Sequence, residues 1–406
     1  MTRDWKRARL GDISSIDYGY TAKASFEEIG PKFLRITDLQ NGSVDWSEVP
    51  SCEISDGDLS KHKLLDQDIV FARTGATTGK SYLVSEPPAA IAASYLIRLR
   101  LNAPKISAKY VSLYFQTDEY WSLISAGISG SAQGGFNASK LADVSLPVPP
   151  LAEQKRIVAI LDEAFAGIAA ATANAEKNLA NARELFDGHL KALFDEEQPT
   201  WERKTLRQAS LDFGRGKSKH RPRNDPKLYG GKYPFIQTGD VRNCDHVILE
   251  STQTYNESGL AQSKLWPKGT ICITIAANIA ETGILGFDAC FPDSVIGMVV
   301  DPKQTTNDFV EYLLRSVQAQ LKAAGKGSAQ DNINLATFED RPFPFPELEE
   351  QARIVETLNE LSSFVRQLED LYGKKLSALA DLKQAILQQA FSGELTGIKI
   401  RHCEAA

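Results

Sequence analysis

GSAQGGFNASKLADVSLPVPPLAEQKRIVAILDEAF, residues 130–165, returns as GSAQDNINLATFEDRPFPFPELEEQARIVETLNELS at residues 327–362. Aligned without a gap at an offset of 197, the two stretches share 16 of 36 positions, among them Gln133/Gln330, Asn137/Asn334, Pro147/Pro344, Glu153/Glu350, Gln154/Gln351 and Arg156/Arg353. Solenoid repeats run roughly 20–50 residues, so a period this long predicts two copies of a whole domain-plus-helix unit and a pseudo-twofold molecule.

Working outward, the halves also begin alike. Trp5-Lys-Arg-Ala-Arg-Leu10 matches Trp201-Glu-Arg-Lys-Thr-Leu206, Asp17-Tyr-Gly19 matches Asp212-Phe-Gly214, and Phe33-Leu-Arg-Ile-Thr-Asp38 matches Phe235-Ile-Gln-Thr-Gly-Asp240. Short β-branched and aromatic runs bounded by Gly, Pro and Asp follow, at 68–73, 95–101, 270–275 and 295–300, and read as strands. Helices are expected over 109–125 and 307–323. Each half therefore holds a mixed α/β globule of about 150 residues.

After Pro147-Val-Pro-Pro150 the texture changes to Ala, Glu and Leu. Leu151, Gln154, Val158, Leu161, Phe165, Ile168, Thr172, Ala175, Leu179, Ala182, Phe186 and Leu193 keep a heptad seam, repeated through Leu348, Val355, Leu358, Val365, Tyr372, Leu376, Leu379 and Ile386. A helix of about 45 residues is roughly 67 Å long, too long to bury its seam on one compact neighbour. The two helices are expected to pack on each other, antiparallel by the pseudo-twofold. The fold class is thus α/β (α+β): globules at 1–149 and 198–346, long helices at 150–197 and 347–395, and a tail at 396–406. A rigid spacer and a plain dimerising coiled coil are the competing readings of the helices.

The 406 residues carry a net charge of −6, with 42% apolar and 24% charged side chains, ordinary values for a globular protein. Charge is uneven: Trp201–Tyr233 has ten Lys/Arg against three Asp/Glu, Leu151–Thr200 five against nine. A locally basic surface on an acidic chain is compatible with specific DNA binding. Five scattered cysteines without a CxxC pair suggest reduced thiols. With no apolar signal core at the N-terminus, and Thr270–Ala280 taken as the most apolar stretch, the expected location is cytoplasmic.

Enzymatic signatures are missing. Gly75-Ala-Thr-Thr-Gly79-Lys80-Ser81 has three residues between its glycines where a phosphate-cradling loop needs four, and it lies between two predicted strands. The five histidines show no ligand spacing. No catalytic residue, metal or cofactor is expected of this chain.

Binding chemistry is present. Arg215-Gly-Lys217-Ser-Lys219-His-Arg221-Pro-Arg223 is a basic segment broken by Gly and Pro, able to follow phosphates or merely to be solvated. Its counterpart, Gly19–Lys23, keeps only Lys23. Arg35 faces Gln237 and Arg73 faces Thr274; Arg can fork onto guanine and Gln onto adenine in the major groove. Lys80 completes the candidate DNA-binding set. The Pro-x-Pro-x-Leu-x-Glu-Gln-x-Arg-Ile-Val segments open each helix with Glu near its positive end. They read either as a domain-to-helix elbow or as a duplicated docking surface carried by Glu153, Gln154, Arg156, Glu350, Gln351 and Arg353.

PVPPLAEQKRIVAIL and PFPELEEQARIVETL, each after a GSAQ loop, together with the closing Ala390-Phe391-Ser-Gly-Glu394-Leu395, resemble the specificity subunit of bacterial type I restriction-modification systems over approximately residues 5–395. The resemblance implies a non-catalytic reader of duplex DNA. Two target-recognition domains would each read half of a split sequence, and two conserved helices would set the gap and hold two methyltransferase subunits, which use S-adenosylmethionine. Restriction subunits complete such complexes. One departure is visible: the first helix ends Ala192-Leu-Phe194-Asp-Glu-Glu rather than with Gly-Glu-Leu. The alternatives are the reader of a related bipartite methylation or phage-defence system without a translocating nuclease, and a coiled-coil scaffold.

Overall fold

The computed structural model describes residues 5–40, 42–129, 135–194, 200–220, 222, 224–276, 279–324 and 335–396. The chain divides into two compact units, Met1–Glu176 with Gly373–Ala406, and Lys177–Tyr372. Each unit thus combines one globule with a stretch of both long helices.

In the first unit an antiparallel sheet runs in the order Ser14–Tyr18, Leu96–Leu101, Ile69–Ala72, Ser81–Leu83, beside a parallel pair of Lys32–Leu34 and Ala90–Ala92. The run Ile69-Val-Phe-Ala72 is buried on both faces because alternate side chains serve different cores. Ile69 and Phe71 pack with Tyr110, Tyr114 and Phe115 of the closing helical segment. Val70 and Ala72 pack with Leu34, Ala90 and Ala92. The second unit repeats this. Its sheet runs Ser210–Arg215, Val295–Val300, Ile271–Thr274, Thr282–Leu285, Val247–Ile248. Ile271 and Ile273 face Phe309 and Leu313, while Cys272 faces Ile236 and Trp266. In each unit the opening strand is stitched antiparallel to the strand before the helix elbow: Arg7–Arg9 to Ser145–Pro147, and Glu202–Thr205 to Pro342–Phe345.

The strand register corrects two sequence pairings. A bulge at Ser210/Asp212 inserts a residue in the second unit, so Tyr18, opposite Ile97, corresponds to Arg215, opposite Ile296. Glycines 19 and 216, not 19 and 214, are therefore equivalent. Both are sterically required: a Cβ would lie 2.1 Å from the Ala93 carbonyl oxygen in one and 2.2 Å from that of Phe291 in the other. By the same register Ala72 corresponds to Thr274, and Arg73 to Ile275. The helix expected over 109–125 is two, Ala108–Tyr114 and Asp118–Ser129. Thr117 interrupts it, its hydroxyl donating to the Tyr114 carbonyl (2.8 Å) and accepting from the Tyr120 N–H (3.2 Å). The counterpart, Asn307–Ala324, is continuous.

The long helices span Leu151–Leu193 and Leu348–Ser392, 43 and 45 residues. Within each unit their segments run antiparallel. In the first, Glu153 accepts from Thr396 and the Lys383 ammonium lies 4.9 Å from the Phe165 ring centre. In the second, Arg183 Nε donates to Glu369 Oε1 at 2.6 Å, and Phe186 and Leu190 share a core with Ile354, Leu358 and Val365. The apolar stretch Thr270–Ala280 supplies the strand Ile271–Thr274, buried throughout as expected; the first long helix holds an 18-residue window of mean hydropathy 1.4, long and apolar enough to cross a membrane by length and composition. Alanines supply much of that hydropathy, and both ends of the helix join protein cores through Ile157, Leu161, Phe186 and Leu190.

Candidate nucleic-acid interface

In the first unit the Gly75–Lys80 stretch is the turn joining antiparallel strands Ile69–Ala72 and Ser81–Leu83, with Lys80 exposed on it. Arg73 leaves the end of the first of these strands. Its Nε donates to the Ser94 carbonyl at 3.0 Å, and its guanidinium lies 4.9 Å from the ring centre of Tyr18. Tyr18 and Tyr95, whose carbonyl accepts from the Arg73 N–H, are both exposed. An exposed ring against a held cation, as Tyr18 is against Arg73, has the chemistry to stack with a base. Sequence reasoning missed these tyrosines because single aromatics in strands read as core.

Lys23 is exposed in the loop after Gly19 that also carries Phe26, 79% exposed and 5.7 Å from the Arg35 guanidinium. Arg35 ends the strand Lys32–Leu34, and its backbone N–H donates to Asp38 Oδ2 at 2.8 Å. Asp38 also takes Arg35 Nε (3.1 Å) and Nη2 (2.7 Å), and this pairing holds the guanidinium pKa above its ordinary value. The second unit builds the same elbow: the Gln237 N–H donates to Asp240 Oδ2 at 2.7 Å. Here the side chain turns to Gln253 Oε1, 2.6 Å away. The Arg35/Gln237 correspondence thus holds in three dimensions. The Arg73/Thr274 pairing does not, and Thr274 is completely buried, with its hydroxyl on the Glu281 carbonyl (3.3 Å).

The basic segment of the second unit is pinned rather than free. Gly216 and Ser218 are buried and alternate with exposed Arg215, Lys217 and Lys219, an extended strip presenting every second side chain outward. The Lys217 carbonyl accepts from Ser263 (2.7 Å) and the His220 N–H donates to Gln262 (3.0 Å). Arg221 and Arg223 lie outside the described residues. Beside the strip a cavity of about 290 Å³ is lined by Ser218, Asn224, Tyr229, Gln237 and Gln253 among others.

At the helix elbows the structure separates residues that the sequence grouped. Gln154 is completely buried: Nε2 donates to the Lys105 and Pro149 carbonyls (3.0 and 2.8 Å), and Oε1 accepts from the Ser107 N–H (2.9 Å). Gln351 is equally buried, donating to the carbonyls of Gln304 and Pro346 (2.9 Å each) and accepting from Thr305 Oγ1 (2.9 Å). Both glutamines are therefore corrected from docking residues to clamps that lock each helix start onto its globule. Arg156 and Arg353 are exposed, the latter 2.5 Å from Glu350. Asn137 caps the helix Ala138–Asp143 by accepting from the Lys140 N–H (2.9 Å), a structural role. Gln133, Gln330 and Asn334 lie outside the described residues.

The family of type I restriction modification DNA specificity domains matches residues 2–179 and 201–371. The chain belongs to this family. It is 24% identical over 419 residues to the putative type I restriction enzyme MjaX specificity subunit of Methanocaldococcus jannaschii, covering 97% of this chain and 94% of that protein. It is 25% identical over 425 residues to the EcoBI specificity subunit of Escherichia coli, covering 97% and 86%. Among solved structures, one from a study of type I R-M complex assembly and conformational transition superposes with a TM-score of 0.79 at 20% identity, over 97% of this chain and all of that one. The HsdS subunit of Thermoanaerobacter tengcongensis gives 0.60 at 18%, over 97% and 98%. The expected fold class, two mixed α/β domains with long paired helices, is borne out. As a type I specificity subunit, the chain recognises a DNA target and is not the catalytic component.

Proposed function

We propose that this specificity subunit reads a split duplex target, one half with each globule, and docks two methyltransferase subunits along its long helices, with restriction subunits joining that assembly in the cytoplasm. The recognition domains are assigned to 1–149 and 198–346 and the helical spacers to 150–197 and 347–395. One observation carries the reading: the two globules keep the same frame and change what it presents. Gly19/Gly216, Asp38/Asp240 and Gln154/Gln351 hold equivalent positions. Tyr18/Arg215 and Arg35/Gln237 differ, and where the first globule presents Arg73 the second has the buried Ile275. One frame with divergent side chains is what two readers of unlike half-sites need. Lys23, Lys80, Arg215, Lys217 and Lys219 are assigned to phosphates, with Arg221 and Arg223 by sequence alone; Arg35, Arg73 and Gln237 are assigned to base edges. Glu153, Arg156, Glu350 and Arg353 remain the docking residues. The complex with its methyltransferase, given random-sequence DNA, is expected to methylate one motif of two half-sites separated by a constant gap. A contiguous motif, or none, rejects the reading.

A further inference from the structure

Resting on the DNA-reading function above, we propose that the elbow residue ahead of the shared aspartate is a base-reading position in each globule: Arg35 reads guanine, Gln237 reads adenine, and Asp38 and Gln253 are their positioning residues. In both units the backbone N–H of this residue is tied to the aspartate three positions on, at 2.8 Å to Asp38 and 2.7 Å to Asp240. The main chain is thus held alike while the side chain differs. Asp38, only 9% exposed, grips one edge of the guanidinium through Nε and Nη2. That grip fixes the plane of the fork before any ligand arrives and leaves the Nη1 end for the O6 and N7 acceptors of guanine. Phe26 stands 79% exposed with its ring centre 5.7 Å from the Arg35 guanidinium; an apolar ring there suits the edge of a neighbouring base pair.

In the second globule the Asp240 carboxylate is paired with no arginine among the described residues and accepts from Thr252 Oγ1 at 3.3 Å. Gln237 Nε2 instead donates to Gln253, directly opposite Phe235 on the adjacent strand. This bond fixes the Gln237 amide plane and leaves it a carbonyl oxygen and one N–H, the acceptor–donor pair that matches adenine N6 and N7. Both amides line the cavity beside the exposed lysines of the basic strip.

Because Asp240 already occupies the place of Asp38, the position is convertible. In the methyltransferase complex on random-sequence DNA, Gln237→Arg is expected to change one base pair of one half-site from A·T to G·C, leaving the other half-site and the gap alone. Arg35→Gln is expected to make the reverse change in the other half-site. Asp38→Asn should lower discrimination at that same base pair by roughly 5- to 150-fold with the remaining positions unchanged, and Asp38→Glu should restore part of it; a purely structural aspartate would affect all positions together. Unchanged motifs in both exchanges, activity lost without a motif, or losses spread evenly over the site would each overturn the assignment. A wild-type complex with no split motif would instead reject the reader function itself.

Discussion

Gln154 and Arg156 stand two residues apart in the duplicated segment, yet burial gives them opposite roles. Gln154→Ala leaves the Ser107 N–H and the Lys105 and Pro149 carbonyls without their partner, and an unsatisfied buried polar group costs about 1–3 kcal/mol. A loss of about 3 kcal/mol in denaturant unfolding is expected, with a similar loss for Gln351→Ala, whereas exposed Arg156→Ala should stay within about 0.5 kcal/mol. An equal effect from both would remove the clamp assignment. His246 illustrates what sequence spacing could not show. It is stacked on Tyr312 at 5.1 Å, with Nδ1 2.8 Å from Glu311 and Nε2 3.0 Å from Asp308. Burial works to lower its pKa, but hydrogen bonds to Asp308 and Glu311, and their charges, raise it to about 9. An unfolded histidine titrates near 6.5. The protonated form therefore stabilises the fold fully below about pH 6.5, and that contribution is lost as pH rises through about 9. Denaturation midpoints should fall between these values in the wild type and lose this slope in His246→Asn; parallel pH profiles would show that the cluster is not the source.

Among the elements, the long helices show which part of a periodic pattern a sequence can yield. The seam residues Leu161, Ala175, Ala182, Phe186, Leu358 and Val365 are buried as the heptad predicts, but Leu190 rather than Leu193 closes the first helix, where the core of the second unit begins. Phe186→Ala should cost about 3–5 kcal/mol, because its ring packs in that core and against Tyr312 at 6.4 Å. Phe364→Ala, at a position 62% exposed, should change stability by less than about 0.5 kcal/mol. A loss at Phe364 comparable to that at Phe186 would mean that the second long helix is rotated from the register described. The strands carry a parallel lesson. Runs such as Ile69–Ala72 and Val295–Val300 are legible because apolar content alone marks them, but the bulge at Ser210/Asp212 is not. It arises from pairing with a distant strand, and it displaced the inferred equivalence at Gly19.

For the whole molecule, the proposed split-site reading makes the helices a ruler. Removing four residues from each shortens each by about 6 Å, and methylation mapping is expected to show an altered gap between two unchanged half-sites; an unaltered gap would separate the helices from spacing. Much of this organisation was legible in the chain. The duplicated Pro-x-Pro-x-Leu-x-Glu-Gln-x-Arg segment fixed two units and two long helices, because identity at a constant offset and a sustained heptad are properties of residue order alone. The tertiary structure decided what each duplicated residue does. Two identical glutamines became buried clamps, a basic loop became a pinned strip with alternating lysines, and Tyr18 and Tyr95 emerged beside Arg73. Burial and hydrogen-bond partnership depend on strands and helices far apart in sequence, and no local pattern encodes which face of a residue that packing will leave open.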